Sequence, residues 1–335
     1  MISRSIFVTG GAGYVGSSLI PELLEQGYKV TVYDIMYFGD NVLPKKNPNL
    51  KVIKGDIRDN KKLENSCRDH EFFLHLACIS NDASFELDKK LSTSINLDAF
   101  EPIVLSAKRS GIKRFIYAST SSVYGISNKI DVTEDHPLVP LTLYNKYKGM
   151  CEPLLIKHTD DNFVGVIFRP ATVCGYAPRL RLDLSVNILT NHAVNKNKIK
   201  VFGGKQLRPN LHIKDYCDVI KLLLLAPDTK VKKEIFNVGY QNMSIQDIAN
   251  LVKKVVEKTF PEKKEIIIET LPSNDNRSYH INSDKIFKSL GFRAKRSLEE
   301  AVKDLCLSFQ NGLIERSFEN DLYYNVRRLK SIQAK

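Results

Sequence analysis

The chain is most informative at first through what it lacks. No apolar run approaches the roughly 18 residues that a membrane-spanning helix needs, so no membrane partner is expected. No internal repeat or low-complexity tract appears, which excludes solenoids and compositionally disordered segments. There is no C-x-x-C pair. The six cysteines (Cys67, Cys78, Cys151, Cys174, Cys217 and Cys306) are scattered, a pattern of free thiols rather than a disulfide framework or a zinc site, and no metal is expected. Met1-Ile2-Ser3-Arg4-Ser5 runs straight into a strand-like segment, unlike a cleaved signal, so a cytoplasmic location is expected. The formal charge of +12 admits a nucleic-acid binder, an enzyme for phosphorylated substrates, or simply a lysine-biased surface. The lysines are dispersed and not interleaved with aromatics, which weighs against nucleic acid as a partner.

What is present is a soluble, core-forming composition: 335 residues, 43% of them hydrophobic, enough for one large domain with a lobe or two modest ones. The first half alternates short apolar runs with helical patterns, as βα units do. Strands are predicted at Ser5–Thr9, Lys29–Tyr33, Lys51–Lys54, Phe72–Leu76, Arg114–Ala118 and Gly165–Phe168, with helices up to Gln26 and over Asn96–Ser110 and Asn145–His158. Gly27 and Gly111 follow helical stretches, where a left-handed cap is common. After residue 169 the rhythm changes. Loops rich in Arg, Pro and Gly are predicted at Arg169–Arg181 and Gly203–Asn210. They are followed by a helix over Lys214–Leu225, a strand over Glu234–Val238, a helix from Ser244 to Lys258 and a strand over Ile266–Glu269. Ser297 and Glu300 form a capping-box pattern before a final helix that Gly312 would end. The last dozen residues read as a loose tail.

Thr9-Gly10-Gly11-Ala12-Gly13-Tyr14-Val15-Gly16 places glycines at 10, 13 and 16 directly after an apolar strand and at the start of a helix. That context distinguishes a dinucleotide site from a chance glycine triplet. The glycines allow a tight turn and close approach to a pyrophosphate, and the helix terminus supplies unpaired N–H groups and positive dipole. Asp34 ends the second strand, where a carboxylate holds ribose hydroxyls and repels a 2′-phosphate; Ile35-Met36 offers no arginine, so NAD is favoured over NADP. Asp56 and Ile57, after the third strand, are placed to flank the adenine. Leu76, Ala77 and Cys78 end the fourth strand beside the same cleft.

Tyr144 and Lys148 stand four apart, on one face of a helix beginning near 145. A free tyrosine, with a pKa near 10, is a poor base at neutral pH. A nearby ammonium favours the phenolate, which can then take a proton from a substrate hydroxyl as hydride leaves the same carbon. A hydroxyl from Ser119-Thr120-Ser121-Ser122 would orient that substrate. Tyr147 is no substitute, because Cys151 stands four residues after it.

Taken together, T-G-G-A-G-Y-V-G, H-L-A, S-T-S-S-V-Y-G and Y-N-K-Y-K resemble the NAD-dependent epimerase/dehydratase family of extended short-chain dehydrogenases/reductases. The likeness continues through Arg169-Pro-Ala-Thr-Val-Cys-Gly and Arg208-Pro-Asn-Leu-His-Ile-Lys-Asp. It implies a doubly wound parallel-sheet Rossmann domain (1–168, with 211–238 returning to it) and a smaller C-terminal α/β substrate lobe (169–210 and 239–330). It implies Tyr144 as base, Lys148 as its partner and Thr120 as the catalytic hydroxyl. The cofactor shell then comprises Gly10, Gly13, Tyr14, Val15, Gly16, Asp34, Asn96, Ser119 and Pro170 beside the residues already named. Ser80, Asn81, Ser121, Ser122 and Thr172 fall to the substrate, a nucleotide-diphosphate sugar, and helices near 97–110 and 146–158 to a homodimer.

The family's 4,6-dehydratases carry an Asp-Glu pair where this chain has Ser121-Ser122, and no extra acid or base is visible for eliminating water. Oxidation at the sugar C4 remains, completed either by re-reduction (a 4-epimerase) or by release of a ketone (a net 4-dehydrogenase or 4-ketoreductase). The stretch Ala177–Leu184 resembles a subgroup that includes GDP-heptose 4-dehydrogenases. Counting back seven from Tyr279 gives Pro272 where family members often have an arginine. Arg179, Arg181, Arg208 and Arg277 are the substitutes, since guanidinium forks suit a pyrophosphate. His212 reads as structural. A catalytically silent dinucleotide- or RNA-binding protein is the reading of another class; the intact Tyr144, Lys148 and Thr120 argue against it.

Overall fold

The computed structural model describes residues 4–335 except 128, 130, 264 and 274–277. Twelve strands occur among the described residues. They are β1 (Ser5–Thr9), β2 (Lys29–Asp34), β3 (Leu50–Lys54), β4 (Phe72–His75), β5 (Arg114–Ala118), β6 (Val164–Pro170), β7 (Thr172–Cys174), β8 (Lys198–Phe202), β9 (Leu207–His212), β10 (Ile235–Val238), β11 (Gln241–Ser244) and β12 (Ile267–Leu271). The helices are α1 (Tyr14–Glu25), α2 (Asn60–Cys67), α3 (Asp82–Phe85), α4 (Lys89–Thr93), α5 (Phe100–Arg109), α6 (Leu143–His158), α7 (Ser185–Lys196), α8 (Ile213–Leu225), α9 (Asp228–Val231), α10 (Ile245–Thr259), α11 (Asp284–Leu290), α12 (Leu298–Gln310) and α13 (Asn325–Ser331). None is long and apolar enough to cross a membrane.

Seven strands form one sheet in the order β10-β6-β5-β4-β1-β2-β3, every pair parallel. β1 shows why. Ile6, Phe7 and Val8 are fully buried, as a strand covered on both faces requires. Successive side chains point to opposite faces. Ile6 and Val8 pack with Leu19, Leu23, Val219 and Leu223 of α1 and α8. Phe7 packs with Leu63, Val104 and Leu155 of α2, α5 and α6. The order in which the chain lays down strands reverses between β1 and β4, the position at which open α/β sheets bind ligands beyond their carboxyl ends. The fold is the expected doubly wound α/β architecture.

Beyond β6 the chain builds a three-stranded sheet, β11-β9-β7, and a parallel pair, β12-β8. Helices α7, α10 and α12 close a separate apolar core there, through Val186, Val252, Val256 and Val302. The Ser297–Glu300 capping box forms with both of its hydrogen bonds.

Several expectations are corrected. Residues 203–210 are not all loop: β9 begins at Leu207 and pairs with both β7 and β11. Pro209 and the polar Arg208 and Asn210 hide it, because burial of one end by partners, not local propensity, makes this strand. The helix predicted over 96–110 is interrupted. A wide π-turn, Ser94–Asp98, precedes α5. The loose tail is also wrong. Asn325–Ser331 is helical, with Asn325 and Leu329 buried, and it is held by tertiary contacts that a seven-residue polar sequence does not announce.

Candidate active site

At the carboxyl end of β1 the chain turns at Gly10, with φ +74°; a Cβ there would lie 2.6 Å from the Ala77 backbone nitrogen. A Cβ on Gly16 would sit 2.2 Å from the Gly11 carbonyl oxygen. Side chains are thus excluded where the loop must lie flat against β4 and against itself. Gly13 caps α1 without a side-chain hydrogen bond, and the first turn holds no acidic residue. Its N–H groups are therefore available to an anion. This cradle suits a dinucleotide diphosphate.

Asp34 leaves β2 beside the loop. Its carboxylate accepts from the N–H groups of Ala12 (3.0 Å) and Met36 (2.8 Å). Burial raises its pKa, and those two donors offset only part of the rise. A carboxylate has about four acceptor sites, so two such bonds leave capacity for ribose hydroxyls. Asp56 lines the same end of the cleft, but Arg58 grips it, with Nη2 2.6 Å from Oδ2. Burial opposes its ionised form; the bonds from Arg58 prevail and hold its pKa low.

Thr142 caps α6 by accepting from the Asn145 N–H. That places Tyr144 in the first turn and Lys148 one turn on, both lining the cleft. The Lys148 ammonium donates to the Ala118 carbonyl at 2.5 Å and lies 4.7 Å from the centre of the Tyr117 ring. After β5 the chain makes a tight turn over Ser121–Tyr124. There the Thr120 and Ser122 hydroxyls are 2.8 Å apart, and Ser122 donates to Asn145 Oδ1 at 2.5 Å. A hydrogen-bonded chain therefore runs from the candidate catalytic hydroxyl to the residue after the candidate base. Asn145 was missed from the sequence, where nothing marks it except its place beside Tyr144.

The cleft is about 400 Å³ and is shared by these groups and by the substrate candidates Ser80, Asn81, Thr172 and Arg208. A family model, the NAD-dependent epimerase/dehydratase family, matches residues 6–239. The chain belongs to that family. Its members are NAD-dependent nucleotide-sugar enzymes, and the cofactor is NAD. The chain is 27% identical to a UDP-glucose 4-epimerase of Lactobacillus helveticus, over 74% of this chain and 81% of that one. It is 24% identical to a dTDP-glucose 4,6-dehydratase of an Actinoplanes species, over 89% and 95% respectively. Among solved structures, a UDP-glucose 4-epimerase from Thermotoga maritima with UDP-glucose superposes with a TM-score of 0.80 at 24% identity, covering 92% of this chain and all of that one.

Within this member of the family, the other cofactor candidates, Tyr14, Val15, Ile57, Leu76, Ala77, Cys78, Ser119 and Pro170, also line the cleft. Asn96 does not. Its amide is spent on Ile79, accepting from the N–H at 2.8 Å and donating to the carbonyl at 2.9 Å. It fixes the loop after β4 from behind. Arg277 lies outside the described residues. His212 caps α8 by accepting from the Lys214 N–H, a structural role.

The expected depression of the Tyr144 pKa is not what the protein alone produces. Burial drives the phenol well above its usual range, Cys78 adds to this, and Arg181 opposes it. Desolvation dominates because the half-buried phenol sits among the walls of the cleft rather than in open water.

Proposed function

We propose that the protein is a nucleotide-sugar 4-epimerase. The observation that carries this reading is the Thr120–Ser122–Asn145 hydroxyl and amide chain beside Tyr144. Its Ser122, together with Ser121, stands where the family's dehydratases carry an acid pair. Among the described residues the carboxylates lining the cleft are Asp34, Asp56 and Asp82. The first two stand at the adenosine end. Asp82 accepts from Thr142 at 2.6 Å and so fastens the start of α6. None is free to drive loss of water.

In this reading Thr120 donates to or accepts from the C4 oxygen and holds it against Tyr144. Tyr144 takes the hydroxyl proton and later returns it to the opposite face's product. Lys148, fixed by the Ala118 carbonyl, holds the nicotinamide-side ribose. NAD, which the glycine-rich loop, Asp34 and Lys148 would hold, would supply the hydride acceptor and donor for C4. The lobe of 169–210 and 239–330 carries the nucleotide through Thr172 and Arg208, whose guanidinium lies 5.3 Å from the Tyr279 ring centre. A homodimer through α5 and α6 belongs to the same proposal.

The test is incubation with UDP-, GDP-, dTDP- and CDP-sugars, following absorbance of NADH and the products by NMR. An epimer formed with no net NADH supports the reading; stoichiometric NADH identifies a net 4-dehydrogenase instead, and a 4-keto-6-deoxy product identifies a dehydratase. Tyr144→Phe is expected to lower turnover about 10²- to 10⁴-fold while the protein keeps its NAD; unchanged turnover refutes Tyr144 as the base.

A further inference from the structure

Two arginines in the cleft lack a complete set of partners. Arg179 and Arg181 lie on the segment between β7 and α7, and they are only 5% and 8% exposed. Arg181 donates through Nε to Asp183 at 2.9 Å and through Nη1 to Ser80 at 3.1 Å. Arg179 donates through Nη2 to Asn325 at 2.5 Å, and its guanidinium lies 3.7 Å from the centre of the Phe38 ring. Arg179 Nε and Arg181 Nη2 are buried and have no hydrogen-bond partner among the described residues. Asp183 is hydrogen-bonded to Arg181 alone, and Arg179 feels Asp183 and Asp34 only through space, with no hydrogen bond to either. Burial and the neighbouring Arg181 push the Arg179 pKa down to about 9. Enclosed cations without matching anions are costly, and this pair is aimed into a ligand cleft.

Their neighbours identify the anion they face. The Arg179 N–H donates to Ser17 in the first turn of α1, and Phe38 stands four residues beyond Asp34. Arg181 reaches Ser80, two residues beyond Cys78, and interacts electrostatically with Tyr14 and Tyr144. The pair therefore runs from the adenosine end toward the candidate base, beside the start of α1. That loop offers a helix terminus equivalent to about half a charge and no lysine or arginine. A dinucleotide diphosphate carries two negative charges.

We propose that Arg179 and Arg181 bind the diphosphate of NAD together with the glycine-rich loop, and that α13 locks this clamp through Asn325. Asn325 is placed to do so. Its carbonyl accepts from Arg179, its N–H donates to Asp183 at 3.0 Å, and its amide donates to Ser80 at 2.9 Å. The segment is fastened further along. Arg328 donates to the Tyr37 carbonyl at 2.6 Å, and the Tyr37 hydroxyl donates to the Lys335 carbonyl at 2.6 Å. NAD leaves only when these bonds open, so it is retained between turnovers. Retention serves any reaction in which the hydride returns to the substrate. The clamp rests on the family's cofactor, not on the choice of sugar reaction.

The experiment measures dinucleotide binding directly. NADH and ADP-ribose affinities of stripped full-length protein are read by fluorescence and calorimetry, NADH dissociation by stopped flow, and adenosine and UDP or GDP serve as comparison ligands. Arg179→Gln is expected to weaken NADH and ADP-ribose about 10- to 100-fold and to leave adenosine unchanged. Arg181→Lys, which keeps the charge and loses the fork, weakens both to a smaller extent. Asn325→Ala speeds NADH release about tenfold. Circular dichroism reports folding; if Arg179→Gln does not fold, the other two variants decide. Unchanged NADH and ADP-ribose binding, with UDP or GDP weakened instead, overturns the proposal and gives the arginines to the sugar nucleotide. Failure of every sugar nucleotide to turn over would refute the 4-epimerase reading while leaving these binding results intact.

Discussion

His75 ends β4 at the edge of the cleft, and the mechanism gives its ring no part. It is 4% exposed; Nδ1 shares a 2.8 Å hydrogen bond with the Thr9 hydroxyl, and Phe100 packs edge-on at 5.6 Å. Burial, helped by the Lys148 charge, pushes its pKa down to about 3. The unfolded chain titrates near 6.5 and so binds more protons than the folded one throughout the interval between these values. The contribution of neutral His75 to stability is complete above pH 6.5 and is lost as the pH falls toward 3. Each pKa unit is worth about 1.4 kcal/mol, so acidification from pH 7.5 to pH 5 removes roughly 2 kcal/mol through this residue alone. The double variant Thr9→Val/His75→Phe removes both polar partners together and leaves no orphaned hydroxyl. Urea unfolding of wild type and variant at the two pH values isolates the effect, since every other titrating group is common to both. The variant should lose about 2 kcal/mol less than wild type on acidification. Equal losses would refute the claim that His75 is held neutral.

Other consequences follow from buried polar contacts around the site. Ser122→Ala cuts the chain between Thr120 and Asn145; kcat should fall about tenfold through misplacement of the candidate catalytic hydroxyl of Thr120, with NAD content unchanged by chromatography of the released cofactor, and Ser122→Thr should recover part of the loss. Glu152 and Arg169 form a buried pair at 2.6 Å, and Glu152 also accepts from Ser119 at 2.6 Å. Glu152→Ala leaves the guanidinium uncompensated and should cost about 3–5 kcal/mol by urea unfolding, nearly independent of salt because the pair is screened little by solvent ions.

The readable parts of the molecule are those in which one local requirement dominates. β1 shows itself by its apolar run, because both faces of a central parallel strand are buried. The glycine loop shows itself because no Cβ fits at Gly10 or Gly16. Tyr144 and Lys148 are legible through the pitch of one helix. β9 and Asn96 were misread for the opposite reason: Arg208-Pro209-Asn210 has no strand-like pattern, and the duty of Asn96 is set by Ile79, 17 residues away.

By itself, the order of residues determined the alternation of strands and helices, the glycine-rich loop and the Tyr144–Lys148 spacing of the candidate base and its partner, since each depends on neighbours within a few positions. Tertiary structure decided what crosses long stretches of chain. It brought Asn325 to Arg179 and Ser80, turned an apparent tail into part of the cleft lining, and set the Tyr144 phenol among the cleft walls so that desolvation governs its ionisation. Hydrogen bonds between segments 146 and 245 residues apart leave no periodic mark in sequence. Their partners are chosen by the folded surface on which they meet.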